Sequence, residues 1–176
     1  IRDADTARMA FQAAMTGHQV FSTLHTSSAI GAIPRLLDIG ILPDILAGNV
    51  IGIVAQRLVR RLCPICREAH PAEDYELRLL AHTGTPERPV LHRAKGCPAC
   101  AFTGYRGRMA IMELIRMDPE LDELIARRAT AREIRSATRD RGFVSLAEDG
   151  TRRVLEGNTS LDELTRVIDL TERMFR

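Results

Sequence analysis

The chain has 176 residues, of which 45% are hydrophobic and 27% charged, and its formal net charge is +2. That length holds one ordinary domain, or one with a small appendage, and the composition is that of a globular protein with a sizeable core. No apolar run reaches the ~18 residues needed to span a bilayer, and so small a charge, with two tyrosines, five phenylalanines and no tryptophan, is no footprint for nucleic acid.

From the first residue, Asp5 or Thr6 is placed to cap a helix whose Met9, Ala10, Ala13 and Ala14 share one face, and Gly17 to stop it. Gln19 to Leu24 then reads as a short strand, because Val20, Phe21 and Thr23 suit a pleated surface. His25 and Thr26 follow at its carboxyl end, and Ser27 and Ser28 offer N-caps for the next helix. Ligands of open α/β sheets bind at that edge, where helix N-termini attract phosphate. The spacing suits equally a plain reading in which His18 and His25 are polar residues flanking a buried strand. A second helix is expected from Ala29 to Ile39, ending at Gly40, with Pro34 kinking it or delaying its start and Arg35 just beyond. A third begins at Pro43 and runs to about Val50, and Gln56 to Leu62 reads as a strand leading into Cys63. Two strands and three helices are thus expected within roughly the first 62 residues.

The four cysteines carry the strongest signal. They form two C-x-x-C pairs, Cys63/Cys66 and Cys97/Cys100, separated by thirty residues. Each pair presents two thiolates to one metal, and four thiolates in a reducing compartment point to tetrahedral zinc. Two disulfides would need an oxidising compartment, and a redox C-x-x-C would not need a duplicate. His70 and His92 are alternative ligands, although four cysteines already close a site. A closed site is structural, holding the insert folded, with a helix expected around Asp74 to His82.

Beyond Cys100, Gly104 to Arg108 reads as a glycine-bracketed turn and Met109 to Met117 as a strand. Four helices are expected at about 119–128, 131–141, 146–156 and 161–174. Asp118-Pro119 and the capping boxes Thr130/Glu133, Ser145/Glu148 and Ser160/Glu163 mark their starts. Leu121, Leu124, Ile125, Ile134, Val144, Leu146, Val154, Leu155, Leu164, Val167 and Ile168 would form their shared core. Between Gln56 and Arg108 ten basic residues face five acidic ones, an excess that suits an acidic partner.

The run Ile1-Arg2-Asp3, the box from His18 to Thr26, Arg35 to Gly40, Gly52 to Leu58, the cysteine pairs, Gly104 to Arg108, Gly142-Phe143, Asp149-Gly150 and Gly157 to Ser160 together resemble the secretion ATPases of the GspE and PilB type. Retraction motors of the PilT kind resemble the chain in the histidine box but lack the cysteine pairs. The resemblance implies an α/β fold, the C-terminal portion of a RecA-like P-loop ATPase core with an inserted four-cysteine zinc subdomain and a C-terminal helical bundle. The implied divisions are 1–62 for the core, 63–100 for the zinc insert, 101–117 for a return strand and 118–176 for the helical domain.

The resemblance further implies a cytoplasmic homohexamer, peripheral at the inner membrane, that hydrolyses ATP with Mg2+ to build a pilus or pseudopilus. Its partners would be inner-membrane platform proteins, with no nucleic acid expected. His18 and His25 match the box near the γ-phosphate, Arg2 and Arg35 match basic positions around the nucleotide, and Asp3 and Thr26 are candidate nucleotide contacts. Ser27 stands where the family often has asparagine. No G-x-x-x-x-G-K-[ST] occurs, and the single lysine, Lys95, lies beside the second cysteine pair. The chain is therefore expected to be a carboxyl-terminal part that is inactive alone. A zinc-ribbon module binding nucleic acid and a docking domain without ATPase function are the competing possibilities.

Overall fold

A computed structural model describes residues 1–81, 87–139 and 141–170 of the chain. The architecture is mixed α/β, with helices α1 (Ala4–Met15), α2 (Ala29–Asp38), α3 (Pro43–Leu46), α4 (Asp74–Leu79), α5 (Pro119–Ala126), α6 (Ala131–Arg139), α7 (Leu146–Leu155) and α8 (Leu161–Val167). The strands are β1 (Gly52–Leu62), β2 (Glu68–Pro71), β3 (Val90–Arg93) and β4 (Tyr105–Arg116). They make two two-stranded sheets, β1 with β4 and β2 with β3. The chain divides into one unit of Ile1–Ala55 with Glu113–Val144 and a second of Gln56–Met112 with Ser145–Arg176.

The first unit is built on helices. Asp3, rather than Asp5 or Thr6, caps α1, its Oδ1 accepting the Thr6 N–H at 2.8 Å. The buried face of α1 is Ala7 and Phe11, four residues apart, while Met9 is 69% exposed. Ser28 caps α2 as expected, and the helix starts there without delay despite Pro34 at its sixth position. Ala29, Ile30, Ala32, Ile33 and Leu36 face inward. Helix α3 is a single turn, shorter than expected, because Ala47 turns to extended backbone and Gly48 adopts φ +76°, which glycine takes without strain. Its Leu46 packs with Ile115 of β4 and with Leu121, Leu124, Ile125 and Ile134 of α5 and α6 in one core. Each such aliphatic side chain contributes about 1.5–3 kcal/mol on burial.

The expected strand from Gln19 to Leu24 has no regular structure. A strand exists only as a partner in a ladder, and among the described residues no strand pairs with this segment. Phe21 is 88% exposed, and the backbone contact is from the Ile1 ammonium, 2.6 Å from the Thr23 carbonyl.

Strand β1 begins at Gly52, earlier than expected, and β4 begins at Tyr105, so the sequence Gly104 to Arg108 enters the strand instead of turning. The antiparallel pairing of β2 with β3, Glu68 opposite Arg93 through Pro71 opposite Val90, was not visible in the sequence. Helix α4 appears where expected, though His82 lies outside the described residues, as do Asp140 and residues 171–174 of the other expected helices.

The four late helices do not share one core. Helices α5 and α6 belong to the first unit with α2 and α3, whereas α7 and α8 pack together in the second, α7 also against β3. Val144, expected in that core, is 49% exposed. Two of the three expected capping boxes form, Glu133 accepting the Thr130 N–H at 2.7 Å and Glu148 that of Ser145 at 2.7 Å, whereas at the third Ser160 caps α8 by accepting the Glu163 N–H at 3.1 Å but the Glu163 carboxylate turns to Arg60 instead.

Candidate metal centre

The end of β1 delivers Cys63, fully buried, and a tight turn brings Cys66 back, its N–H 3.3 Å from the Cys63 carbonyl. The second pair is built the same way. A 3₁₀ turn over Pro98–Cys100 follows Cys97, and the Phe102 N–H donates to the Cys97 carbonyl at 2.9 Å. The four sulfurs lie within 4.8 Å of one another, with Cys63–Cys97 at 4.0 Å and Cys66–Cys100 and Cys97–Cys100 at 3.8 Å. A disulfide would need about 2.05 Å, and all four cysteines are free. Zinc at about 2.3 Å from four tetrahedral sulfurs sets them about 3.8 Å apart, so the donor set and its spacing fit one such ion.

The thiols are not equivalent. Burial pushes the Cys66 thiol up to about 12, and contacts with the other three thiols add to that. Burial also raises Cys100, but the N–H groups of Cys97 and Gly104, each 3.2 Å from its sulfur, outweigh it and bring the group down to about 6. Backbone donors thus wait for a thiolate charge at Cys100. A divalent cation would favour the thiolate form throughout the cluster.

Gly96 holds the second turn close. Its φ is +106°, and a Cβ there would lie 2.6 Å from the Phe102 carbonyl oxygen, a backbone atom with no freedom to retreat. Replacing Gly96 by alanine should cost about 2–4 kcal/mol from left-handed strain plus the clash. Thermal unfolding would register the loss, and a variant that melts with the parent would contradict this geometry.

His70 and His92 do not join the sulfurs. His70 Nε2 is 3.0 Å from the buried Glu76 carboxylate, and burial, reinforced by Arg67, lowers His92.

The residues expected around a nucleotide all sit in the first unit. Arg2, Asp3, His18, His25 and Arg35 are exposed and Thr26 is half-buried. His18 Nδ1 is 3.1 Å from the Thr16 hydroxyl, Asp3 is occupied as the α1 cap, and the Thr6 N–H holds its carboxylate below the usual range. The Ile1 to Thr23 contact sets Arg2 and Asp3 beside the segment that carries His25. Arg2, His25 and Arg35 make no side-chain hydrogen bond or ion pair among the described residues, so their cationic and imidazole groups remain available.

The long-range partners of two buried carboxylates could not be foreseen from the sequence. Glu113 on β4 is 5% exposed and accepts the Ala29 N–H at the start of α2 at 2.5 Å. A lone acid inside the apolar run Met109 to Met117 was the signal for it. Glu163 accepts from Arg60 Nε at 2.9 Å, Arg60 Nη2 at 2.5 Å and the Arg60 N–H at 3.0 Å. Arg60 in turn lies over the Tyr105 ring, 4.0 Å from its centroid, and the Tyr105 hydroxyl meets Ser160 Oγ at 2.7 Å. Asn158 and Thr159 extend the stitch, the Asn158 carbonyl accepting the Leu62 N–H at 2.9 Å and the Thr159 hydroxyl donating to the Arg60 carbonyl at 2.8 Å.

A mixed α/β unit ending in a four-thiol cluster defines the class, and comparison with known proteins supplies the family. The chain belongs to the type II/IV secretion system protein family, whose model matches residues 1–166. It is 48% identical over 167 residues to the type II secretion system protein E of Pseudomonas aeruginosa, covering 95% of this chain and 33% of that protein. With the type IV pilus assembly ATPase TfpB of Acinetobacter baylyi it shares 41% over 180 residues, 97% of this chain and 29% of that one. Among solved structures, the pilus retraction motor PilT with bound ADP matches with a TM-score of 0.64 at 21% identity, over 96% of this chain and 38% of that chain. The chain therefore spans about a third of the length of the relatives it matches. Among the described residues no helix is long and apolar enough to cross a membrane.

Proposed function

We propose that the chain works as the carboxyl-terminal part of an ATPase that drives type II secretion or type IV pilus assembly. The observation that carries this reading is identity of 41–48%, over 95% or more of the chain, to proteins of those two systems. The whole protein acts as a cytoplasmic homohexamer, peripheral at the inner membrane, where it moves platform proteins as it hydrolyses ATP with Mg2+. Zinc fills the four-cysteine cluster as a structural ion, and the sulfur spacing and the backbone donors at Cys100 support that assignment.

In this reading His18 and His25 lie near the γ-phosphate, and Arg2 and Arg35 stabilise charge on the transferring phosphoryl group. Asp3 and Thr26 contact the nucleotide or its Mg2+. Transition-state charge is spread over the phosphoryl oxygens, which is why exposed, unpaired arginines and a histidine at the end of an extended segment suit the task.

The 176-residue chain alone is expected to show no ATP turnover, because it has no G-x-x-x-x-G-K-[ST] to cradle the phosphates. The full-length protein is expected to hydrolyse ATP and to lose at least about tenfold in kcat on His25→Ala. Robust turnover by the chain alone, abolished by His25→Ala, would overturn the first expectation. A full-length protein that does not respond to His25→Ala would overturn the second.

A further inference from the structure

We propose that the concave face of the second unit lined by Arg60, Thr103, Tyr105, Gly107 and Arg108, with exposed Phe102 beside it, docks an acidic and apolar polypeptide segment of a partner protein. The hollow measures about 230 Å³, room for a carboxylate side chain but small for a drug-sized ligand. Two guanidinium groups face it with donors to spare. Glu163 engages Nε and Nη2 of Arg60 and leaves Nη1 unengaged, while the exposed Arg108 has no acceptor among the described residues. The remaining hydroxyls are committed elsewhere, Thr103 donating to the Cys100 carbonyl at 2.7 Å and Tyr105 pairing with Ser160. The hollow is therefore lined mostly by apolar atoms, with Arg60 and Arg108 as its charged residues.

Phe102 immediately precedes Thr103, which lines the hollow, and is 72% exposed. Its φ is +60° and that of Ala101 is +49°, conformations that a non-glycine residue holds only when its surroundings impose them. The imposing contacts are those of the cysteine turn, the Phe102 N–H to the Cys97 carbonyl and the Thr103 N–H to the Cys100 carbonyl at 3.1 Å. An exposed aromatic fixed beside desolvatable arginines is the composition of an interface hot spot.

Charge complementarity selects the occupant. Exposed Arg57, Arg61, Arg106 and Arg108 all lack ion pairs among the described residues, in a region where basic residues outnumber acidic ones ten to five. A carboxylate in the hollow and an apolar side chain on Phe102 satisfy both features together. Nucleic acid would instead call for several stacking rings, and a lipid surface would use the apolar residue for insertion without needing a hollow. The proposal rests on the metal assignment only for the rigidity of the Phe102 turn.

Fluorescence anisotropy with a short fluorescein-labelled peptide alternating Asp and Leu tests it, with zinc content measured on the same samples. Arg108→Glu and Phe102→Asp are each expected to weaken binding at least about tenfold. Arg78→Glu, at an exposed arginine of α4 with no ion pair among the described residues, should change it less than about twofold. Equal affinity in Arg108→Glu, or an equal loss in Arg78→Glu, would overturn the proposal. So would vesicles containing phosphatidylglycerol, or an oligothymidylate, that displace the peptide and show the stronger dependence on Arg108. Absence of zinc from the parent chain would sink the metal assignment separately, leaving the Arg108 comparison to decide the docking face.

Discussion

Replacing Cys97 by serine should empty the metal centre and unfold the second unit around it. Bound zinc is expected to fall from about one ion per chain to none, and a chelator should act on the parent protein in the same way. The size of the effect follows from a comparison of magnitudes. Structural zinc sites supply about 10–16 kcal/mol in small peptides, and whole domains are stable by only about 5–15 kcal/mol. Between Cys66 and Cys97 the described structure offers one short hairpin and one short helix, β2, β3 and α4, which bury little without the clamp. Hydroxyl oxygen is a poor substitute for the soft sulfur at 3.8–4.0 Å from its neighbours. Metal analysis together with thermal unfolding decides the matter. A Cys97→Ser protein that melts with the parent and carries no less zinc would remove the cluster from the folding account.

Glu163→Ala should be among the costliest changes of a polar residue away from the metal. The carboxylate is 5% exposed and takes three hydrogen bonds from one residue, Arg60. Removing it strands both the guanidinium and a backbone N–H. Breaking a buried pair costs about 3–5 kcal/mol, but the Arg60 side chain is 36% exposed, so solvent screening favours about 2–3 kcal/mol. The same pair predicts a pH response. Burial alone would raise the Glu163 carboxyl, yet hydrogen bonds and charge from Arg60 hold it below the usual range. A group with a lowered folded value stabilises fully above its unfolded value of about 4.3 and loses that contribution as pH falls through the folded value. Asp149 follows the same direction, burial again opposed, here by the Met112 N–H and Arg152. Acid unfolding should therefore begin below about pH 4.5 in the parent, and Glu163→Ala should flatten that limb. A variant whose acid limb is unchanged would show that Arg60 does not govern Glu163.

Whatever depended on near neighbours could be read from the chain. Asp118-Pro119, Ser145/Glu148 and Thr130/Glu133 are three-residue relations, and each forms where expected because a cap needs only its own first turn. The cysteine cluster was legible for a different reason, since a shared ligand accounts for two C-x-x-C pairs more simply than two disulfides or a duplicated redox pair. What stayed hidden required knowing a distant partner. The segment Gln19 to Leu24 has strand composition but no ladder, and composition cannot supply one. Glu68 to Pro71 pairs with residues some twenty positions later, across a stretch with no hairpin turn signal. Caps likewise placed the starts of α5 to α8 without saying that two of them join Ile33 and Leu46 while α7 joins β3 and α8 joins α7. Of the nucleotide-site candidates, the histidine box stood out by pattern, but Glu113 and Glu163 work through residues 84 and 103 positions away.

That last separation has a temporal side. Arg60 and Leu62 find their partners only when Asn158 to Glu163 have been made, at separations of 99 and 103 residues for the Thr159 and Glu163 contacts. At a synthesis rate of about 5–20 residues per second, β1 waits roughly 5–20 s for them. During that interval the cysteine cluster, complete once Cys100 emerges, and the pairing with β4 just after it are the contacts that can close around β1. Metal supply in the nascent chain would then set whether the second unit meets its own late helices or first meets another chain.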